Sequence, residues 1–268
     1  MNPHIDAKPS EGSFPEHWID GTDSVEPLIQ VHQYAGGTWI LRESILANWE
    51  TPFLYLFSGK ERGILIDTGA SGTIPLRETL DELIGPDHLL VVAHSHSHGD
   101  HIAGDAQFHD RPNTTVVGHS PQDVAEFFEI ENWPIEISQM DLGERRLDII
   151  PIPGHEPASI AIYDALTGLL ITGDTLYPGR LYVRDFQAFR SSIERLVAFT
   201  AQRQVRWVLG THIEMTNQPG VDFDIRSLSH PSERSLELTS EHLSELHGAL
   251  VDMGDEAKHE RDIVKSGV

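Results

Sequence analysis

Eight consecutive residues, His94-Ser95-His96-Ser97-His98-Gly99-Asp100-His101, carry four imidazoles and one carboxylate. Alternate residues of an extended chain project to the same side, so His96 and His98 can direct both rings at one ion. On a helix the same two rings would lie about 200° apart and could not. Gly99 frees the backbone to turn, after which Asp100 and His101 can face a second ion beside the first. Imidazole and carboxylate donors together suit zinc, manganese, iron or cobalt rather than calcium or magnesium alone. The residue types leave two registers open, His94-x-His96-x-His98 and His96-x-His98-x-Asp100-His101. A histidine run can also be a solvated, adventitious metal-binding tract. What decides is whether the rest of the chain supplies further ligands.

The run follows Leu89-Leu90-Val91-Val92-Ala93, a short apolar stretch that reads as a buried strand, so the ligands sit where a strand ends. Other apolar runs at 29–34, 38–41, 53–57, 64–66, 114–118, 147–152, 159–163, 169–172 and 205–209 read as further strands. Gly36-Gly37 reads as a hairpin turn, as does Leu166-Thr167-Gly168. Apolar stripes predict helices at 73–84, from Ser120, at 186–200 and at 229–252. The segment 129–146 is weakly patterned and, with 176–186, is expected to line the cleft. This divides the chain into an N-terminal arm (1–27), a catalytic domain (28–215) and a C-terminal helical extension (216–268) that is charged and frayed after Gly254.

The chain has 268 residues, and its 39% apolar content suffices for a core at that length. A net charge of −23 argues against a nucleic-acid groove, which needs a basic stripe, and against anionic membrane surfaces. Cysteine is absent, which removes disulfides and thiolate ligands and fits a cytoplasmic protein. The N-terminus lacks the basic start and apolar stretch of a signal peptide. No run approaches the roughly 18 apolar residues of a membrane span.

Asp100-His101 selects the second register, and His96-x-His98-x-Asp100-His101 resembles the signature of the metallo-β-lactamase-fold superfamily of metal-dependent hydrolases. The turn Ile66-Asp67-Thr68-Gly69 resembles that family's early turn, whose aspartate supports the site from behind. Ile102-Ala103-Gly104 resembles its continuation, and Pro153-Gly154-His155-Glu156-Pro157-Ala158-Ser159 its PGH-x-P-x-S turn. Gly173-Asp174-Thr175 and Gly210-Thr211-His212 resemble its last two ligand turns. The resemblance implies an α/β fold, an αββα sandwich of two mixed sheets flanked by helices.

It also implies a binuclear site. His96, His98 and His155 would hold one metal, Asp100, His101 and His212 the other, and Asp174 would bridge them. Zinc is the first expectation, with manganese, iron or cobalt as alternatives. A hydroxide between the ions would be the nucleophile, with Asp100 taking or relaying a proton. His94 then becomes a supporting residue. Tyr177, three residues after Asp174, matches a tyrosine of the acyl-homoserine lactonases in this family and is a candidate oxyanion donor.

The expected substrate is a small molecule with a carboxylic ester-type bond, lactone first and thioester next. A β-lactam or phosphodiester is the alternative within hydrolysis. A mononuclear iron dioxygenase resembling the persulfide dioxygenases is the alternative outside it. The leucine stripe at 236, 243, 246 and 250 is read as a packing or homodimer element.

Overall fold

Alternation along the strands leaves most of them apolar on both faces, and a strand of that kind needs a layer on each side. In the computed structural model, which describes residues 9–254 and 264–265, two six-stranded sheets meet this need by stacking face to face. The first holds β1 (Ile29–Ala35), β2 (Thr38–Glu43), β3 (Phe53–Ser58), β4 (Arg62–Ile66), β5 (Leu89–Ala93) and β6 (Thr114–Val116) in that order. Its pairs run antiparallel from β1 to β4 and parallel from β4 to β6.

The second sheet takes β7 (Ser138–Asp141), β8 (Arg146–Pro151), β9 (Ile160–Asp164) and β10 (Leu169–Gly173). After a short strand β11 (Arg180–Leu181), which pairs outside both sheets with β14 (Val264–Lys265), it adds β12 (Trp207–Gly210) and β13 (Glu237–Leu238). The order is β13-β12-β10-β9-β8-β7, with β10 and β12 parallel and the other neighbours antiparallel.

The inward residues Phe53, Tyr55, Phe57, Ile64 and Ile66 of the first sheet meet Leu147, Ile149, Ile160, Ile162 and Ile171 of the second. The outward residues Leu54, Leu56, Leu65 and Val92 pack under α1 (Leu76–Ile84) through Leu76 and Leu80. On the far face Ile150, Tyr163, Leu170 and Val208 pack under α4 (Phe186–Thr200) and α5 (Ser240–Met253). Two shorter helices, α2 (Gly99–Ile102) and α3 (Pro121–Phe127), lie between β5 and β7 in the chain. The arrangement is the expected αββα sandwich. Ser120 and Asp123 form a reciprocal capping box that starts α3.

Two regions differ from their sequence patterns. The terminal helix starts at Ser240 rather than 229, because Thr239 caps it together with His242. Residues Glu237–Leu238 instead pair with Val208 and Leu209 at the edge of the second sheet. In the segment 129–146, residues 138–141 pair with β8, while Ile135 stays exposed. Most of the stretch after Gly254, expected to fray, lies outside the described residues, as do positions 1–8 of the N-terminal arm. Among the described residues no helix is long and apolar enough to cross a membrane.

Candidate metal centre

Five strand ends open on one edge of the sandwich. Ile66 of β4 is in register with Ala93 of β5, so Asp67 and the run from His94 leave the first sheet side by side. Gly173 of β10 is in register with Gly210 of β12, which delivers Asp174 and His212 together. Pro151 of β8 leads into the turn that carries His155. The amide of Ile160 donates to the Ser95 carbonyl at 2.9 Å and ties the two sheets at this edge. Gly173 has φ +54°, and a Cβ there would sit 2.8 Å from that of Ser95, so glycine alone lets the two loops approach.

The structure gathers the sequence-predicted residues into two groups. In the first, His96 Nε2 lies 2.9 Å from His98 Nδ1, and His155 Nε2 lies 3.2 and 3.0 Å from those two atoms. In the second, Asp100 Oδ2 lies 3.1 Å from His101 Nε2 and 3.3 Å from His212 Nε2. Asp174 stands between the groups. Its Oδ1 is 3.5 Å from His212 Nε2 and 3.7 Å from His101 Nε2, while its Oδ2 is 3.6 Å from His155 Nε2 and 3.8 Å from His96 Nε2. His94 turns away from both groups, toward Asp105.

Hydrogen bonds on the outer side of the rings determine which inner nitrogens are bare. His101 Nδ1 donates to Asp67 Oδ2 at 2.9 Å, His155 Nδ1 to the Tyr182 carbonyl at 2.7 Å, and His212 Nδ1 to the Glu50 carbonyl at 2.9 Å. Ser95 Oγ donates to Asp67 Oδ2, so it is free to accept from His96 Nδ1 at 3.1 Å. In the neutral tautomer that these outer bonds select, the inner nitrogen of each of the four rings presents a lone pair. His98 presents Nδ1 inward and leaves its buried Nε2 without a partner. Bare nitrogens about 3 Å apart, facing carboxylate oxygens, repel one another unless a cation lies between them. The donor chemistry thus fits a divalent metal in each group.

Electrostatics sharpen the fit. Burial pushes His96 well below the usual imidazole range, assisted by His101, and pushes His98 down to about 4, assisted by His155 and Arg184. These two rings stay neutral and ready to ligate at neutral pH. Burial alone would also lower His101 and His212. At His101 the carboxylates of Asp67, Asp174 and Asp100 outweigh it and hold the ring well above its usual range. At His212 those of Asp174 and Asp100 raise it to about 9. Burial would raise Asp100 and Asp174, but the neighbouring imidazoles hold both carboxyls low. The second group is thus a place that calls for positive charge.

Tyr177 is fully buried, with its hydroxyl donating to the Arg180 carbonyl and its ring edge-on to His212 at 5.7 Å. The cleft beside His212 is lined by Trp49, Glu50, Arg180, Phe223 and Arg226. Of the two segments expected to line the cleft, 129–146 and 176–186, only Arg180 contributes to this wall. The carbonyls of Glu50 and Tyr182 carry no residue-type signal, and sequence reasoning had no means of finding them.

Comparison with known proteins agrees with the architecture. The family model described as "Metallo-beta-lactamase superfamily" matches residues 48–226. Hydroxyacylglutathione hydrolase from Ectopseudomonas mendocina (strain ymp) is 31% identical over 117 residues, 41% of this chain and 43% of that protein. Acyl-coenzyme A thioesterase MBLAC2 from Homo sapiens is 26% identical over 224 residues, 66% of this chain and 78% of that protein. The chain spans about half the length of the hydroxyacylglutathione hydrolases it matches. The solved structure "Metallo-beta-lactamase from Pontibacter korlensis" superposes with a TM-score of 0.57 at 17% identity, covering 84% of this chain and 99% of that one. At that identity the likeness speaks for the fold alone.

Proposed function

This chain belongs to the metallo-beta-lactamase superfamily, and from that premise we propose that it is a binuclear metal-dependent hydrolase of small carboxylic thioesters. The observation that carries the reading is Asp174, whose two oxygens face the two ligand groups separately. One carboxylate in that position can hold two cations at a fixed spacing and offset their repulsion.

When bound, two divalent ions, zinc first among them, supply Lewis acidity and lower the pKa of a coordinated water to about 7. The chain's own residues do the rest. Asp67 holds the ring of His101, and the Tyr182 and Glu50 carbonyls hold those of His155 and His212, so the donors are oriented before substrate arrives. The Asp100 side chain is 22% exposed, the most open of the second group. It sits where a carboxylate oxygen can take a proton from the nucleophile and return it to the leaving group. Trp49, Phe223 and Arg226 offer an aromatic and cationic wall for the rest of the substrate.

Thioester now stands ahead of lactone for two reasons. The relatives with matching stretches are named for hydroxyacylglutathione and acyl-coenzyme A hydrolysis. The lactone preference leaned on Tyr177, whose hydroxyl is engaged by the Arg180 carbonyl. We assign Tyr177 to positioning: it fastens the turn after Asp174 and backs His212.

The test is thiol release from S-acyl-glutathione and acyl-coenzyme A by protein reconstituted with zinc, manganese or cobalt. Release should require metal and fall by roughly a thousandfold or more in Asp174→Ala. Tyr177→Phe should keep turnover within about threefold; a tenfold or greater loss would return its hydroxyl to the substrate. Proton release from lactones without thiol release would make the protein a lactonase. One iron per chain with oxygen uptake would replace hydrolysis by dioxygenase chemistry.

A further inference from the structure

Outside the two groups above, the described residues contain one more set of metal-ligating side chains, His94, Asp105 and His119. They come from three places: the loop leaving β5, the single 3-10 turn Asp105–Phe108, and the residue before the cap of α3. His94 Nε2 lies 2.9 Å from Asp105 Oδ1, and His119 Nε2 lies 2.8 Å from Asp105 Oδ2. The two rings stand edge to face with centroids 4.9 Å apart. Each imidazole therefore brings the same nitrogen to a different oxygen of one carboxylate. Ligand atoms at the tetrahedral angle on bonds of about 2.05 Å would lie about 3.3 Å apart. The observed separations are those of hydrogen bonds, and the ligand atoms of all three residues lie within 4.8 Å of one another, so a shift of a few tenths of an ångström lets one ion replace the bonding protons.

The charge balance points the same way. Two buried carboxylates elsewhere in the molecule have a guanidinium beside them, Asp164 with Arg145 and Glu233 with Arg42, whereas Asp67 and Asp174 at the main ligand groups face histidines. Among the described residues Asp105 has no lysine or arginine, and its ion-pair partners are the two histidines alone. Its side chain is only 12% exposed, and Thr68 Oγ1 donates to Oδ1 at 2.8 Å, which locks the carboxylate in place. A buried carboxylate in a chain of net charge −23 needs positive charge from somewhere. The His119 side chain is 41% exposed, which gives an ion a route in and leaves a coordination position toward solvent.

We infer that His94, Asp105 and His119 form a third metal site, separate from the two that Asp174 joins, taking one divalent ion of the zinc or cobalt type. Two imidazoles and one carboxylate are a donor set for such ions. The placement suggests its purpose. His94 precedes and Asp105 follows the run 96–101 that supplies four of the seven candidate ligands of the two main groups. An ion here closes that loop at both ends and fastens it to the segment between β6 and α3. It acts as a structural clamp and takes no part in hydrolysis.

The experiment compares metal content per chain, by mass spectrometry of the metal, for untagged wild type, His119→Ala and Asp105→Asn after equilibrium dialysis against micromolar zinc or cobalt. His119 is exposed, so its replacement leaves the fold intact, which a melting curve checks. Wild type should hold one ion more than His119→Ala, and the same difference should persist in an Asp174→Ala background. That background separates this site from the hydrolytic reading, because its third equivalent does not depend on Asp174. Added zinc should raise the melting temperature of an Asp174→Ala protein by more than it raises that of the Asp174→Ala, His119→Ala double variant, with equal shifts counting against the site. Equal metal content in wild type and His119→Ala would overturn the inference and leave three residues joined by hydrogen bonds alone.

Discussion

Asp164 closes β9 at the end of the sandwich away from the ligand groups, with Arg145 Nη2 2.7 Å from its Oδ2 and both side chains buried. Asp174 follows β10 at the opposite end and faces four histidines, with no lysine or arginine in ion-pair range among the described residues. Arg145 also donates to the Gly37 and Ser58 carbonyls and to Thr38 Oγ1, and it lies over the Phe57 ring. It carries a permanent charge and so makes a self-sufficient clamp between the two sheets. The imidazoles around Asp174 hold any positive charge as a proton, which a metal ion can displace. A carboxylate surrounded by them keeps its affinity for an exchangeable cation. The two ends therefore divide the work, one holding the sheets together and the other remaining open to metal.

The largest effect expected from testing this division is at the arginine end. Arg145→Met strands the buried Asp164 and should lower unfolding stability by about 3–5 kcal/mol, read by denaturant titration. Metal content per folded chain should not change; a parallel loss of metal would mean that the two ends are not independent. At the open end, Asp67→Asn removes the acceptor that orients His101 and Ser95. Metal affinity should weaken by about 10- to 100-fold in competition with a chromophoric chelator, and the metal-free protein should also melt lower, because Asp67 pairs with the buried His101. Unchanged affinity would reduce Asp67 to a packing residue.

The smallest effect concerns Glu43 on β2, another buried carboxyl at the open end without an arginine. Its Oε2 accepts from the amides of Ala70 and Ser71, while Oε1 has no partner. Burial pushes this carboxyl up from 4.5 to about 7, against the lowering effect of those amides. A raised carboxyl favours the folded state when protonated, so its contribution is complete below about 4.5 and is lost as pH climbs through about 7. Metal-free wild type should lose a few degrees of melting temperature across that window, and Glu43→Gln should flatten the slope. A slope unchanged by the substitution would show that Glu43 is not its source.

Much of the frame was legible in one dimension. Strand alternation is a local pattern, and β3, β5, β9, β10 and α4 fall where hydrophobic spacing puts them. Of the seven candidate ligands, those in the run 96–101 stood out by residue type and spacing, whereas His155, Asp174 and His212 were picked out by the resemblance of their turns to those of the family. The start of α5 was not legible, because residues 229–239 share its apolar content but are drawn into a sheet edge at β13. Nor were the carbonyls of Glu50 and Tyr182, since every residue has one and only the packing of loops decides which meets a ring. The same holds for His119, which lies 14 residues from Asp105 with no periodicity to link them. The sequence by itself determined which atoms could ligate and which segments would be buried, because both follow from side-chain chemistry and local spacing. Tertiary structure alone decided which nitrogen of each ring faces inward, and that the partner of His94 is Asp105, because those choices depend on hydrogen-bond partners that only the folded chain brings together.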